Sequence, residues 1–137
     1  IQSLNPDSEL IALAARQDYD GFYRDEIMTR KLMIYPPYCD MCVVSARSFN
    51  RSSALEAINS IFANIKRLTE NGYNDVKMII LGPAASAIPK INNKYRFRMI
   101  IKCRNNKRFR EMLKKALEIK QRNDVTASVD INPETVL

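Results

Sequence analysis

Ten consecutive residues, Lys94-Tyr95-Arg96-Phe97-Arg98-Met99-Ile100-Ile101-Lys102-Cys103, alternate between apolar and basic side chains. Successive side chains of an extended strand point to opposite faces of its sheet, so this run describes a strand with one dry face and one wet face. Tyr95, Phe97, Met99, Ile101 and Cys103 are expected to meet a hydrophobic layer. Lys94, Arg96, Arg98 and Lys102 are expected to point outward, with Ile100 the exception. The layer for the dry face lies on either side of the strand in sequence. Ala54, Ile58, Ile61, Phe62, Ile65 and Leu68 recur at spacings of three and four, and so do Phe109, Met112, Leu113, Ala116 and Leu117. Two amphipathic helices follow from those spacings.

Three further runs read as strands: Cys39–Ser48, Val76–Leu81 and Val125–Ile131. Asn50 or Ser52 is the expected cap of the first helix, Asn71-Gly72 its left-handed end, and Asn105 the cap of the second. Gly82-Pro83 is expected to close the second strand, with a loop through Asn93. The order strand, helix, strand, strand, helix, strand predicts an α+β fold. Right-handed crossovers place four antiparallel strands in one sheet with both helices on one face, the ferredoxin-like plait.

Residues 1–34 read as a separate helical arm. Asn5-Pro6 has the pattern of a cap followed by proline at the first helical position, with Leu10, Ile11, Leu13 and Ala14 as the apolar side. Asp18 to Asp20 is expected to cap a second helix carrying Tyr19, Phe22, Tyr23, Ile27 and Ile34 as a stripe. Tyr35-Pro36-Pro37-Tyr38 stops it, because proline lacks the amide donor and biases its predecessor away from helix. The domain boundary is placed there, giving an arm over 1–34 and a domain over 35–137. Ile1 opens the chain without an initiator Met, and the expectation is a piece of a longer protein.

Charge is not spread evenly. Thirteen of the 22 basic residues fall between Lys90 and Arg122, accompanied there by two acids, Glu111 and Glu118. The chain as a whole is net +7, yet residues outside 84–122 are net negative. Like charge gathered on a strand and its neighbouring helix repels itself, and a polyanion relieves that repulsion. Nucleic acid is the leading candidate, bound through phosphates with counterion release and little sequence preference. Lys90, Lys94, Arg96, Arg98 and Lys102 are the candidate contacts, followed by Arg104, Lys107 and Arg108. Tyr95 is weighed between stacking on a base and packing in the core.

Catalytic chemistry finds few residues to use. There is no histidine, and the three glycines are too few and too scattered for a phosphate-cradling loop. Cys39-Asp40-Met41-Cys42 has the C-x-x-C spacing, but Cys103 is the only further thiol and tetrahedral zinc requires four ligands. The thiols are therefore read as structural, with no metal site, no cofactor and no catalytic residue in this chain. No apolar run approaches the roughly 18 residues of a membrane span.

The landmarks together form a recognisable set. Leu4-Asn5-Pro6, Asp18-Tyr19 through Phe22-Tyr23, Glu26, Arg30 and Tyr35-Pro36-Pro37-Tyr38 resemble the end of the primosomal helicase PriA family, also called primosomal protein N′. Leu81-Gly82-Pro83, Tyr95-Arg96-Phe97 and Val129-Asp130-Ile131-Asn132-Pro133 are similar to the C-terminal domain of that family. Phe97 stands where the family has Trp or a similar aromatic. The resemblance spans essentially the whole chain. It implies a C-terminal domain with the fold of a small-subunit ribosomal protein, contributing DNA binding to an ATP-dependent, 3′-to-5′ helicase that recognises stalled replication forks and restarts replication. ATP, magnesium and zinc would then be held upstream of Ile1, and residues 1–34 would leave the second helicase lobe. The implied partners are forked, duplex or single-stranded DNA, single-stranded DNA-binding protein and other primosome proteins, in the bacterial cytoplasm at the nucleoid. Two other readings compete: a protein-interaction module whose basic surface takes an acidic peptide such as the tail of single-stranded DNA-binding protein, and an RNA-binding ribosomal-like plait.

Overall fold

The computed structural model describes residues 3–118 and 122–135; Lys120, one of the cations of the basic stretch, lies outside them. The chain divides into two compact units between Tyr38 and Cys39.

The first unit is a helical hairpin of α1 (Glu9–Ala15) and α2 (Tyr19–Met33). The Asn5-Pro6 expectation fails by one turn. Asn5 to Ser8 forms a reverse turn in which the Ser8 amide donates to the Asn5 carbonyl, and the helix begins only after Ser8. Proline suits the second position of a turn as well as the first turn of a helix, so the dipeptide did not discriminate between them. Asp18 caps α2 as expected, its carboxylate accepting from the Gly21 amide at 2.9 Å. Ile34 closes α2 in the left-handed conformation, φ 53°, and the Tyr35 amide reaches back to the Arg30 carbonyl. Leu13 is buried, whereas Tyr19, Tyr23, Met28 and Leu32 stand exposed.

The second unit contains β1 (Asp40–Ser48), α3 (Arg51–Glu70), β2 (Met78–Ile91), β3 (Lys94–Cys103), α4 (Lys107–Leu117) and β4 (Val125–Ile131). Its four strands form one sheet in the order β2-β3-β1-β4, every neighbouring pair antiparallel. The expected α+β fold is the one observed. Ile58, Ile61 and Ile65 of α3 and Phe109, Met112, Leu113 and Ala116 of α4 share one buried cluster with Cys42, Val44 and Ala46 of β1 and with Phe97, Met99, Ile101 and Cys103 of β3. Both helices therefore cover the same face of the sheet, and the odd positions of β3 pack beneath them. At roughly 1.5–3 kcal/mol for each fully buried Ile, Phe or Met side chain, this layer dominates the stability of the unit.

Two local expectations are corrected. Asn106, not Asn105, caps α4, its side chain accepting from the Phe109 amide at 2.8 Å. The Asn105 amide instead donates to the Asp40 carboxylate at 2.8 Å. The segment after Gly82-Pro83 is not a loop, for β2 continues to Ile91. It pairs with β3 across two register shifts, between Leu81 and Ala84 and between Ala85 and Lys90. Those irregularities carry the chain past Pro83, which has no amide to give to the ladder. Asn92 and Asn93, at φ 48° and 61°, then form the two-residue turn into β3. At the end of α3 the expected left-handed device is present: Gly72 takes φ 103° and the Tyr73 amide donates to the Leu68 carbonyl.

Candidate nucleic-acid interface

With both helices on one face, the other face of the sheet is left for the cations. Cross-strand partners in an antiparallel pair point to the same side, their Cβ atoms about 5 Å apart. Arg96 of β3 stands directly opposite Arg47 of β1, and Arg98 stands opposite Ser45 on one side and Ala84 on the other. Ser45 and Arg47 in turn face Ser128 and Thr126 of β4. The guanidinium groups thus rise over a floor of Ala, Ser and Thr. Among the described residues, neither Arg47 nor Arg96 takes part in an ion pair. Lys94 extends the row, its ammonium 4.9 Å from the ring centre of Phe49 just beyond the end of β1. Like charges directly opposite each other on a sheet are destabilising, and this pair sits at the end of the face farthest from Asp130, which is opposite Val43.

The far end of the same face is different. Lys102 lies opposite Met41 and Ile79, Ile100 opposite Val43 and Leu81, so that end is largely apolar. Lys102 is only 8% exposed, against the expectation that it points freely outward. Its four-carbon stem suits an apolar neighbourhood while the ammonium sits near Cys39. Burial pushes the Cys39 thiol up, and the Lys102 charge opposes that shift. The basic character of the face is therefore concentrated at the Lys94 end of β3.

The remaining candidate cations fall elsewhere. Lys90 pairs with Tyr95 and holds its ammonium 4.9 Å from that ring, on the helix side of the hairpin. Tyr95 itself packs against the core, not on the open face. Arg104, Lys107 and Arg108 lie at the opposite end of β3, roughly 30 Å along the strand from Lys94 at about 3.3 Å per residue. Arg108 is occupied: it bridges Asp75 at 3.3 Å, donates to the Gly72 carbonyl and stacks over Tyr73 at 4.1 Å. That cluster fastens the start of α4 to the end of α3.

Cys42 and Cys103 belong to the core, where burial drives both thiols up to about 12. A thiol at that value supplies no thiolate near neutral pH. Cys39, three residues before Cys42, lies outside the core.

Two residues of the open face, Arg47 and Phe49, were not singled out from the sequence. The phase of β1 hides them, because Met41, Cys42, Val43 and Val44 are all apolar and all buried, and no alternation shows until Ser45.

The family model described as the primosomal protein N C-terminal domain matches residues 31–134. The chain is 33% identical over 138 residues to the replication restart protein PriA of Bacillus subtilis, covering 97% of this chain and 16% of that protein. It is 30% identical over 136 residues to the replication restart protein PriA of Thermotoga maritima, covering 99% of this chain and 17% of that one. Against the protein of the same name from Borreliella burgdorferi the identity is 26% over 138 residues, covering 100% of this chain and 20% of the relative. The chain thus spans a fifth or less of the length of these relatives.

Proposed function

The chain belongs to the family of the primosomal protein N C-terminal domain, and from that premise we propose that it is a DNA-binding module whose contact surface is the basic end of the open sheet face. In this reading residues 1–34 connect the module to the second lobe of an ATP-dependent 3′-to-5′ helicase, and residues 35–137 bring that helicase to stalled forks for replication restart. ATP, magnesium and zinc belong to the upstream parts, and this chain alone hydrolyses nothing. Its working place is the bacterial cytoplasm, at the nucleoid, with single-stranded DNA-binding protein and other primosome proteins as partners; no helix among the described residues is long and apolar enough to cross a membrane.

The observation that carries the proposal is the Arg47–Arg96 cross-strand pair, with Arg98 and Lys94 beside it. Two guanidinium groups held face to face by the register of the sheet repel each other, and a phosphate between them turns that repulsion into two charge-assisted contacts. If Arg47, Lys94, Arg96 and Arg98 neutralise four phosphates, log affinity for duplex falls with log salt at a slope of about −3.6, and for single strands at about −2.8. Raising salt from 50 to 200 mM then weakens duplex binding roughly 150-fold. Reversing Arg96 and Arg98 to Glu lowers affinity for every DNA sequence and flattens the slope by about 2. The control reverses Arg16 and Arg24 of the helical arm, which changes net charge equally. Equal losses from both double variants mean net-charge attraction alone and defeat the proposal.

One feature favours a second reading, a protein contact. β2 is an edge strand, and beside it a groove of about 590 Å³ is lined by Phe62, Lys66, Thr69, Asn74, Val76, Lys77, Met78 and Ile80. A lining of Phe62, Val76, Met78 and Ile80 mixed with two lysines, beside an open backbone edge, suits an extended acidic peptide. Retention of DNA affinity by the Arg96→Glu/Arg98→Glu variant, with loss of acidic-peptide binding on reversing Lys66 and Lys77, favours that reading.

A further inference from the structure

Phe49 is 65% exposed, on a surface where an apolar ring has no packing to gain. It lies one residue beyond Ser48, the end of β1, and its ring is reached by Lys94 of the basic row on β3. Lys94 stands over the ring at 4.9 Å from its centre. Arg47 is two residues away along the strand, about 6.6 Å, and Arg96 is directly across from Arg47. An exposed ring beside guanidinium groups that make no ion pair among the described residues combines the two elements by which proteins hold single strands: a π-face for a base and cations for the phosphates on either side.

We propose that Phe49 is a stacking platform for one unpaired nucleobase, with Arg47 and Arg96 holding the adjacent phosphate, so that this end of the sheet selects single-stranded or frayed DNA over a closed duplex. The inference rests on the DNA-binding reading given above and narrows its substrate. A base inside a duplex is stacked on both sides and offers no free face unless it is first unpaired, at a cost in free energy. Tyr95, the aromatic that the sequence brings forward, is unsuited to the task because it packs against the core. Lys94 steadies the ring through its cation–π contact, and the ring keeps 65% of its surface exposed.

The test compares the full chain with its Phe49→Ala, Phe49→Tyr and Arg96→Glu/Arg98→Glu variants. Anisotropy titrations at fixed salt use an oligo-dT single strand and a blunt duplex of equal length. Phe49→Ala is expected to weaken single-strand binding at least fivefold, to leave duplex binding within twofold, and to leave the salt slope unchanged. Phe49→Tyr, which keeps the ring, is expected to retain single-strand affinity. Irradiation of the strand carrying 5-iodouracil is expected to crosslink to Phe49, located by peptide mass spectrometry. Equal losses on both DNAs from Phe49→Ala, or no loss on either, overturn the platform. If that happens while Arg96→Glu/Arg98→Glu still weakens both DNAs, the basic face stands without the base; if the charge variant also changes nothing, the DNA-binding reading fails with it. Thermal melts of each variant accompany the titrations, and a misfolded Phe49→Ala leaves the crosslink to the native chain as the deciding measurement.

Discussion

Replacing Asp40 tests how the ends of the sheet are fastened. Its carboxylate accepts from the Asn105 amide at 2.8 Å and from the Asn132 side-chain amide at 3.0 Å. Asn132 in turn accepts from the Met41 amide at 2.9 Å and gives its own amide to the Met41 carbonyl at 2.7 Å. One carboxylate thus joins the start of β1 to the β3–α4 connection and to the end of β4. The bond from Asn105, then that from Asn132, holds the Asp40 carboxyl below its ordinary value. Hydrogen bonds to a charged group contribute about 1.5–3 kcal/mol when well formed, and solvent near this half-buried site reduces that. Asp40→Ala should therefore cost about 2 kcal/mol at pH 7, or roughly 10 °C in Tm for a unit of this size. The sign of the pH dependence follows from the lowered pKa. The contribution is fully present above the unfolded value near 3.9 and disappears as pH falls through the lower folded value. Urea titrations of the native chain and of Asp40→Ala at pH 7, 5, 4 and 3 should show a stability gap that is constant to pH 5 and narrows below about pH 4. A gap that stays flat down to pH 3, or one below 0.5 kcal/mol at pH 7, refutes the latch.

Two further expectations concern the sheet and its thiols. Gly82 has φ 96°, and an added Cβ would lie 3.1 Å from both the Arg98 carbonyl oxygen and the Ala84 amide. Gly82→Ala should cost 2 kcal/mol or more in a urea titration, clearly exceeding Gly72→Ala, where φ is 103° but nothing lies within 4 Å of the new atom; equal costs contradict the register read here. Of the three thiols, only Cys39 should react within minutes with a maleimide at pH 8, because Cys42 and Cys103 are buried with thiols near 12. All three should react in 8 M urea, and two fast thiols in the native chain refute the burial argument.

What could be read in the sequence depended on how many constraints acted on each residue. β3 was legible from Tyr95 to Met99 because both faces wrote their demands into alternate residues, though not at Lys102, which is buried; α3 and α4 were legible because a single core face repeats every three to four. β2 beyond Gly82 was not, since an edge strand interrupted by two irregular registers has no period of its own. Its Asn92-Asn93 turn lacked the glycine that marks most such hairpins. Asn105 and Asn106 are equally good caps by composition, and only the Asp40 contact from across the sheet assigns their roles. The candidate site was half legible for a related reason. Lys94, Arg96 and Arg98 announced themselves within one strand, but Arg47 and Phe49 become neighbours of that strand only through pairing with β1.

The sheet can carry an unfavourable charge pair because its two faces are energetically separate. One side buries Cys42, Val44, Ala46, Phe97, Met99 and Ile101 beneath two helices. Their burial depends only on every second residue of β1 and β3. Exposed positions between them, such as Arg47, are free to vary without touching that core. A repulsive Arg47–Arg96 pair costs a fraction of 1 kcal/mol in water-facing surroundings, small beside the several kcal/mol contributed by two or three of the buried side chains opposite. The apolar end of the open face follows the same logic: Met41, Val43 and Ile100 narrow the wet area, so the cations crowd toward the Lys94 end. There α3 and α4 are on the far side of the sheet, and Arg47 and Phe49 are exposed. A core packed under one face leaves the Lys94 end of the other free to carry like charge, and for the proposed phosphate-binding module that separation sets the charge density independently of the core.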